Sequence, residues 1–309
     1  MESKKKILIL GGRGMLGSMI TSWFCRQTDK YEVRATEKDP GQKIEKLGLE
    51  LYRFNAIEVM KDQMEDILND FSPDYVINCI GLIRPYCLDH NYQGVKLAIK
   101  VNALFPFELS EFFTENYPEA RIIQIATDCV YKGNIGYYDE DAEHDPTDVY
   151  GKTKSLGEVT AANLLNVRCS IIGPELENRL SLLEWFLNQK GDAVLDGFDH
   201  HRWNGLTTLQ FARFCAELID KDLFAYYRDM NSAVHIIYNE DVTKYELLNI
   251  FAEVFGKSCK IRKRDDIGKA VNRTLRSKYL EFPLQPMKEA IIELKGYIDS
   301  NSLYRGVQS

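Results

Sequence analysis

A glycine-rich turn near the start of the chain limits its fold more than any other feature of the sequence. Four apolar residues, Ile7–Leu10, are followed at once by glycines, among them Gly11, Gly14 and Gly17 at intervals of three. Gly11 permits a tight turn, Gly14 lets backbone N–H groups approach a phosphate, and Gly17 lets a helix pack closely on the strand. The positive end of that helix attracts the phosphate. We therefore predict a buried strand, a phosphate-binding turn and a helix, as in a dinucleotide-binding βαβ unit.

The first half of the chain alternates short apolar runs with amphipathic segments of helical length. This alternation is typical of βαβ units with a parallel sheet. The predicted strands are Lys6–Leu10, Glu32–Thr36, Leu51–Phe54, Tyr75–Cys79, Arg121–Ala126 and Leu165–Ile171. The predicted helices are Met15–Gln27, Val59–Phe71, Val95–Asn116 and Val149–Ala162. Right-handed crossovers would join them into an α/β fold with a Rossmann-type doubly wound parallel sheet.

The pattern becomes less regular after Gly173. The predicted helices there are Leu180–Lys190, Leu209–Ile219, Lys244–Phe255 and Met287–Tyr297, and the predicted strands are Ala193–Gly197, His235–Tyr238 and Cys259–Arg262. No linker rich in Gly and Ser separates the two halves, so they are expected to pack as one body. We predict an NAD(P)-binding domain of residues 1–173 and a smaller α/β substrate-binding lobe of residues 174–309.

Composition argues against several classes of partner. With 39 Lys and Arg against 46 Asp and Glu, the formal charge is −7, so the chain as a whole repels nucleic acid. The seven cysteines include no CxxC pair, which favours reduced thiols and a cytoplasmic location. No stretch approaches the roughly 18 apolar residues of a membrane span, so no membrane insertion is expected. Adjacent His200 and His201 lack a third ligand at metal-site spacing, so no metal site is predicted.

The choice between NADH and NADPH depends on residues near the second predicted strand. Glu37 stands twenty residues after Gly17, where an acid binds the ribose hydroxyls of NAD. Arg13 in the glycine loop and Lys38 beside the acid are cations that could each bind the 2′-phosphate of NADP. Glu37 and Lys38 could equally be surface residues. The sequence therefore leaves both forms of the cofactor open.

Tyr150 and Lys154 lie four residues apart and share one face of a predicted helix. Thr127 ends the fifth predicted strand, and ligands of open α/β sheets bind at the carboxyl ends of strands. In carbonyl reduction the oxygen gains negative charge as hydride arrives, and it needs a proton. A phenol with a pKa of about 10 can give that proton if a nearby ammonium stabilises the phenolate. The alternative is a capped surface helix with an exposed lysine.

Several short motifs together resemble the extended short-chain dehydrogenase/reductase superfamily. They are the glycine loop, Asn78-Cys79-Ile80-Gly81, Asn102, the Thr127–Gly133 segment and the Tyr150–Lys154 segment. Within this superfamily the chain is most similar to the dTDP-4-dehydrorhamnose reductase group, which reduces 4-keto-6-deoxy sugars carried on nucleotides. The match covers residues 7–175 well and is looser beyond them, at Trp203–Thr208 and Lys244–Gly256.

The resemblance assigns roles to individual residues. It implies that Tyr150 is the acid, that Lys154 binds the nicotinamide ribose, that Thr127 holds the carbonyl and that Asn102 supports a relay near Lys154. The residues expected at the cofactor are Gly11, Arg13, Gly14, Met15, Leu16, Gly17, Glu37, Asn55, Ala56, Cys79, Ile80, Gly81, Asn102, Tyr150 and Lys154. Those expected at the substrate are Arg84, Thr127, Asp128, Tyr150, Trp203 and Asn204.

Two positions depart from the family pattern. Asn55 stands where related chains usually carry an aspartate near the adenine, which affects adenine recognition. Ala126 replaces a small hydroxyl residue before Thr127, which affects only the surroundings of the threonine.

The sequence thus favours NAD(P)H-dependent reduction of the 4-keto group of a nucleotide-linked 4-keto-6-deoxyhexose, in the supply of polysaccharide precursors. One alternative is a regulatory binding subunit like that of methionine adenosyltransferase, which belongs to the same group. Another is an epimerase or a dehydratase. Dehydratases of the superfamily carry Asp-Glu after the threonine, whereas Asp128 and Cys129 follow it here. The nucleotide, the sugar and the formation of a homodimer are left open.

Overall fold

A parallel sheet dominates the structure, a computed structural model that describes residues 3–38, 43–44 and 47–304. The strands of the described chain, in sequence order, are β1 (Lys5–Leu10), β2 (Tyr31–Glu37), β3 (Lys43–Ile44), β4 (Leu49–Arg53), β5 (Tyr75–Asn78), β6 (Arg121–Thr127), β7 (Leu164–Cys169), β8 (Ile171–Ile172), β9 (Val194–Phe198), β10 (His201–Trp203), β11 (Leu206–Thr207), β12 (Ala233–His235), β13 (Val242–Thr243), β14 (Lys260–Arg264) and β15 (Val271–Asn272). The main sheet has the order β12-β7-β6-β5-β1-β2-β4-β3, and only β3 runs antiparallel to its neighbour. The predicted Rossmann-type fold is confirmed.

Helices cover both faces of this sheet. They are α1 (Met15–Cys25), α2 (Met60–Leu68), α3 (Tyr92–Ala98), α4 (Phe105–Asn116), α5 (Val149–Leu156), α6 (Leu182–Leu187), α7 (Thr208–Asp220), α8 (Phe224–Met230), α9 (Lys244–Phe255) and α10 (Met287–Ser300). The segment predicted as one helix, Val95–Asn116, is divided into α3, a wide π turn at Ile99–Leu104, and α4. The predicted helix Val149–Ala162 ends at Leu156, shortly before the β-branched residues Val159 and Thr160, which are poor helix formers.

Strand β1 shows why the core has two layers. Ile7 and Ile9 point to one face and pack in the layer that contains α1 and α7, whereas Leu8 and Leu10 point to the other face, toward α2 and α4. All four side chains are completely buried. Side chains alternate between the two faces of a strand, and a strand covered on both faces therefore reads as a continuous apolar run.

The second half of the chain returns to the main sheet. Strand β12 pairs with β7 at one edge, with Val234 opposite Val167, and α7 packs against α1. The sequence placed a strand at His235–Tyr238 in the second lobe, whereas the strand lies a few residues earlier and extends the main sheet. The remaining strands form a small sheet, β13-β10-β15, and the pairs β8–β11 and β9–β14. The division at residue 173 stays a prediction.

The order of the strands bears on where the site can lie. Strand β1 has β2 on one side and β5 on the other, so the sheet order reverses between β1 and β5. Ligands of such sheets bind outside the carboxyl ends of the strands at this point.

In the described part of the chain, no helix is both long enough and apolar enough to cross a membrane.

Candidate active site

The turn after β1 has the geometry of a phosphate cradle. Gly11 has a φ of 77°, which favours glycine, and a Cβ at Gly17 would lie 2.0 Å from the carbonyl oxygen of Gly11. Gly14 caps the start of α1. The backbone N–H groups of Arg13, Met15 and Leu16 have no acceptor among the described residues. These free donors at a helix N-terminus fit the phosphates of a dinucleotide.

The segment after β5 lies beside this turn. The N–H of Cys79 donates to the carbonyl of Leu10 at 3.0 Å, and a Cβ at Gly11 would lie 3.1 Å from Cγ1 of Ile80. The side chain of Asn78 accepts from the N–H of Ile80 and donates to Gln124 on the next strand, which fixes the turn. The fold thus brings Cys79 and Ile80 to the glycine loop, as the sequence predicts.

The end of β2 carries the residues predicted at the adenosine. Thr36 accepts hydrogen bonds from the N–H groups of Gly11 and Gly12, so Glu37 lies directly next to the loop. The carbonyl of Glu37 accepts from the N–H of Phe54 at 2.8 Å. This contact places the following residues, Asn55 and the buried Ala56, at the same edge.

The cations predicted for a 2′-phosphate differ in their surroundings. The Arg13 guanidinium forms an ion pair with Glu177, and Lys38 is exposed. The side chain of Asn55 donates to Glu58 at 2.8 Å, and that carboxylate also pairs with Arg53. Arg13 is therefore already paired with a carboxylate from the second half of the chain.

Thr127, Tyr150 and Lys154 come together at the carboxyl edge of the sheet. Asp148 caps α5 by accepting from the N–H of Gly151, and a Cβ at Gly151 would lie 2.3 Å from the carbonyl oxygen of Cys129. This close approach packs the first turn of α5 against the turn that follows Thr127. Burial raises the pKa of the Tyr150 phenol, while its contact with the Thr127 hydroxyl acts in the opposite direction.

Lys154 is a buried ammonium beside the tyrosine. It is 8% exposed, and its Nζ donates to the carbonyl of Ile125 at 2.6 Å. Burial lowers its pKa to about 8, against the opposing effect of Glu158. An ammonium has three donors, so two remain for a ribose hydroxyl and for the phenol.

Asn102 connects three parts of the site through its side-chain amide. Its Oδ1 accepts from the N–H of Leu82 at 2.8 Å, and its Nδ2 donates to the carbonyl of Leu82 and to the hydroxyl of Thr153. It lies in the π turn, a local irregularity that is frequent at functional sites. Asn102 thus links the segment after β5 to α5.

Asp128 begins the substrate side of the site. It is 5% exposed, and it accepts a hydrogen bond from the Thr127 hydroxyl at 3.2 Å. Burial raises its pKa, and the positive charges of Arg273 and Arg84 oppose that shift. Arg84 forms an ion pair with Asp148 at 2.7 Å, so it lies at the edge of the site where the sequence expects it.

Comparisons with known proteins identify the family of the chain. A family model described as RmlD substrate binding domain matches residues 5–271. The chain belongs to this family. The match confirms the resemblance to the extended short-chain dehydrogenase/reductase superfamily. Among curated proteins, methionine adenosyltransferase 2 subunit beta of Bos taurus is 24% identical over 259 residues, which cover 81% of this chain and 72% of that protein.

Two solved structures illustrate how widely the fold is shared. The dTDP-4-dehydrorhamnose reductase of Clostridium acetobutylicum has a TM-score of 0.74 at 22% identity, covering 95% of this chain and 99% of that one. The dTDP-glucose 4,6-dehydratase of Bacillus anthracis, solved with NAD, also has a TM-score of 0.74 at 14% identity, covering 98% of this chain and 99% of that one. Similarity at this level of identity shows the fold alone.

Two residues predicted at the substrate, Trp203 at the end of β10 and Asn204 directly after it, have different surroundings. Trp203 lines a narrow crevice together with Asp128 and Arg273. The amide of Asn204 donates to the carbonyl of Leu275 and accepts from its N–H, so both ends of the side chain are occupied. Trp203 is 8% exposed and packs in the hydrophobic core of this RmlD-family chain, whereas Asn204 lines both the crevice and the larger cavity beside it.

Sequence reasoning missed two cations of the site. Arg273 donates to the carbonyls of Tyr131 and Lys132, in an irregular segment that gives no sequence signal. Lys244 is the first residue of α9. The capping box between Thr243 and Glu246 marks the start of this helix, and it was the one available signal for the position of Lys244. Burial lowers the pKa of Lys244, and the nearby charges of Asp128 and Cys129 raise it.

Lys244 differs from the other cations in having no ion pair or hydrogen bond for its ammonium within the described chain. Its position in the first turn of a helix is also unfavourable for a positive charge.

Across the described residues, no group of three or more His, Cys, Asp or Glu residues is placed to hold a metal ion.

Proposed function

We propose that this protein is an NAD(P)H-dependent reductase of the 4-keto group of a nucleotide-linked 4-keto-6-deoxyhexose. The carrying observation is that the glycine loop and Thr127 follow parallel strands of the same sheet, β1 and β6, and that the first turn of α5, with Tyr150, packs on the turn after Thr127. The trio of Thr127, Tyr150 and Lys154 suits carbonyl reduction, and the loop suits a dinucleotide. A role in polysaccharide precursor synthesis in the cytoplasm follows from the same proposal.

Each residue has a defined task in this reaction. The bound cofactor supplies a hydride for the carbonyl carbon. Thr127 holds the carbonyl oxygen, Tyr150 gives it a proton, and the Lys154 ammonium stabilises the resulting phenolate. The raised pKa of Tyr150 keeps the phenol protonated before the reaction. The N–H groups at the start of α1 hold the phosphates, and Asn102 keeps the segment after β5 in place.

The substrate side supports an anionic ligand. Arg84, Arg273 and Lys244 lie near the buried Asp128, and Arg84 is also paired with Asp148, so three cations face two carboxylates although the chain carries a net charge of −7. A local excess of positive charge on an acidic protein favours the diphosphate of a nucleotide sugar.

A dehydratase is less well supported by the site. Elimination of water needs an additional acid and base near the sugar ring, and Cys129 stands where dehydratases carry a glutamate. Burial raises the pKa of the Cys129 thiol to about 12, so it cannot act as a base near neutral pH. A dehydratase has a similar fold, but the lack of a base at Cys129 still argues against dehydration.

A regulatory binding subunit is the second candidate function. The sequence similarity to methionine adenosyltransferase 2 subunit beta favours it. The complete trio of Thr127, Tyr150 and Lys154 favours the enzyme instead, because a binding subunit has no need for a proton donor. Co-purification of the protein with a methionine adenosyltransferase catalytic subunit, without turnover of any keto sugar, would support the second candidate.

Turnover by the purified protein tests the proposal. We expect oxidation of NADH or NADPH when a dTDP-, UDP- or GDP-linked 4-keto-6-deoxyhexose is supplied, and none with the parent nucleotide sugars. Tyr150→Phe removes only a hydroxyl, so the variant should bind cofactor normally while kcat falls about 10² to 10⁴-fold. Equal rates for the wild type and this variant would exclude Tyr150 as the acid.

A further inference from the structure

An ion pair connects the glycine loop to the second half of the chain. Arg13 lies in the turn between β1 and α1, and its side chain is 19% exposed. Its partner, Glu177, lies between β8 and α6, and its side chain is 56% exposed. A carboxylate thus reaches the cation that the sequence assigns to a cofactor phosphate.

The segment that carries this carboxylate, residues 175–181, is named here the Glu177 loop. The buried Glu175 accepts from the N–H groups of Leu180 and Ser181, at 2.9 and 2.7 Å, and its own N–H donates to Glu184. These bonds fix both ends of the loop. The carbonyl of Glu177 accepts from the N–H of Arg179 at 2.9 Å, whereas its side chain has no partner among the described residues other than Arg13.

The middle of the loop is conformationally costly. Asn178 and Arg179, which follow Glu177 directly, have φ values of 68° and 50°. Left-handed conformations at two consecutive residues other than glycine are uncommon and are kept only where the surrounding structure holds them. The Arg13–Glu177 pair, the bonds to Glu175 and the hydrogen bonds of Arg179 to the Glu177 carbonyl and to Asn188 all contribute to this shape.

Glu177 occupies only one nitrogen of the Arg13 guanidinium, Nη2. The remaining donors stay open to a phosphate, but the carboxylate takes a donor from it and offsets the positive charge that attracts it. Exposed ion pairs are weak, so a phosphate in the cradle can displace the carboxylate. Until it does, Glu177 neutralises the charge of Arg13 and places a negative charge close to the incoming phosphate.

We propose that Glu177 determines cofactor choice by competing with the 2′-phosphate of NADP(H) for Arg13. The inference rests on the proposed use of a nicotinamide dinucleotide. The pyrophosphate is common to both cofactors and has the N–H groups of α1 to bind it, whereas the 2′-phosphate occurs only in NADP(H). Glu177 therefore weakens NADPH binding relative to NADH.

Direct binding separates this effect from catalysis. Dissociation constants of NADH and NADPH are measured by nicotinamide fluorescence for the wild type, Glu177→Gln, Arg13→Met and the double variant. We expect Glu177→Gln to tighten NADPH binding about two- to fivefold, as for the loss of one exposed competing ion pair, with NADH nearly unchanged. In the Arg13→Met background, Glu177→Gln should not change the dissociation constant of NADPH, because the cation on which Glu177 acts is absent.

The control is Glu119→Gln, which removes an exposed carboxylate just before β6, at the opposite end of the strands. It should change neither dissociation constant. An equal gain for NADH and NADPH in Glu177→Gln, or a gain that persists without Arg13, would overturn the inference. Neither result would contradict the proposed function. That function would be excluded by a different result, namely that the wild type binds no nicotinamide dinucleotide at all.

Discussion

Lys154 is the residue whose protonation the proposed chemistry depends on most. Burial holds its pKa at about 8, well below the ordinary lysine value, so the ammonium is mostly charged at neutral pH and is lost as the pH rises through 8. Loss of that charge removes the stabilisation of the Tyr150 phenolate. We expect kcat/KM, which reports ionisations of the free enzyme, to fall above a pH of about 8.

The variant Lys154→Arg tests this assignment, because a guanidinium stays charged throughout the accessible range. Whatever its absolute rate, its profile should lack the decline near pH 8. A decline at the same pH in the variant would assign the ionisation to another group. Cofactor binding, followed by fluorescence over the same range, separates a loss of binding from a loss of chemistry.

The proposed catalytic residues could be selected from the sequence because they lie in short local patterns. Tyr150 and Lys154 share one helix, and Thr127 ends a strand, so spacing alone suggested the group. Lys244 and Glu177 reach the site from segments far away in the sequence. Their relevance depends on contacts between distant elements, and no local pattern reports those contacts.

At the scale of elements, burial decided what could be predicted. The central strands β1, β5, β6 and β7 are mostly apolar runs of four to seven residues, whereas β10, β11, β13 and β15 have only two or three residues each, too few to show a period. The segment Val95–Asn116 contains Pro106, which lies in the first turn of α4 and is the one sequence signal of a break, but nothing in the sequence indicates the π turn at Ile99–Leu104. Its cause is tertiary, since Asn102 in that turn bonds to Leu82 and Thr153.

That π turn leads to a prediction about Asn102. Replacing Asn102 with Ala leaves the part-buried N–H of Leu82 without its acceptor and removes one of the two donors to the Leu82 carbonyl, the other being the Cys87 thiol. An unsatisfied buried N–H costs about 1–3 kcal/mol, and partial burial places this cost toward the lower end. We expect a lower melting temperature and a higher dissociation constant for the cofactor, because the segment after β5 loses its anchor. Asn116→Ala, at the exposed end of α4, is the matched control and should change neither quantity. Unaltered cofactor binding in Asn102→Ala would limit the residue to a role in stability.

At the scale of the whole molecule, the candidate site exists only because the chain returns to its first half. The main sheet contributes Thr127 and Asp128, and α9 from the second half contributes Lys244. The main sheet alone could bind a dinucleotide and protonate a carbonyl. The second half adds positive charge, and charge of this kind suits the nucleotide part of the substrate rather than the reacting ketone.

Lys244→Met therefore should separate substrate binding from chemistry. The variant keeps the length of the side chain and removes its charge, so KM for the nucleotide sugar should rise about tenfold, a change typical of losing one charge-assisted contact, while kcat changes little. The salt dependence of KM should also weaken, because one phosphate contact is gone. Lys260→Met, an exposed lysine in β14, is the control for a general loss of positive charge. A fall in kcat at constant KM would contradict this role, because Lys244 would then act on the reacting carbonyl and the anion would have to be bound by Arg84 or Arg273.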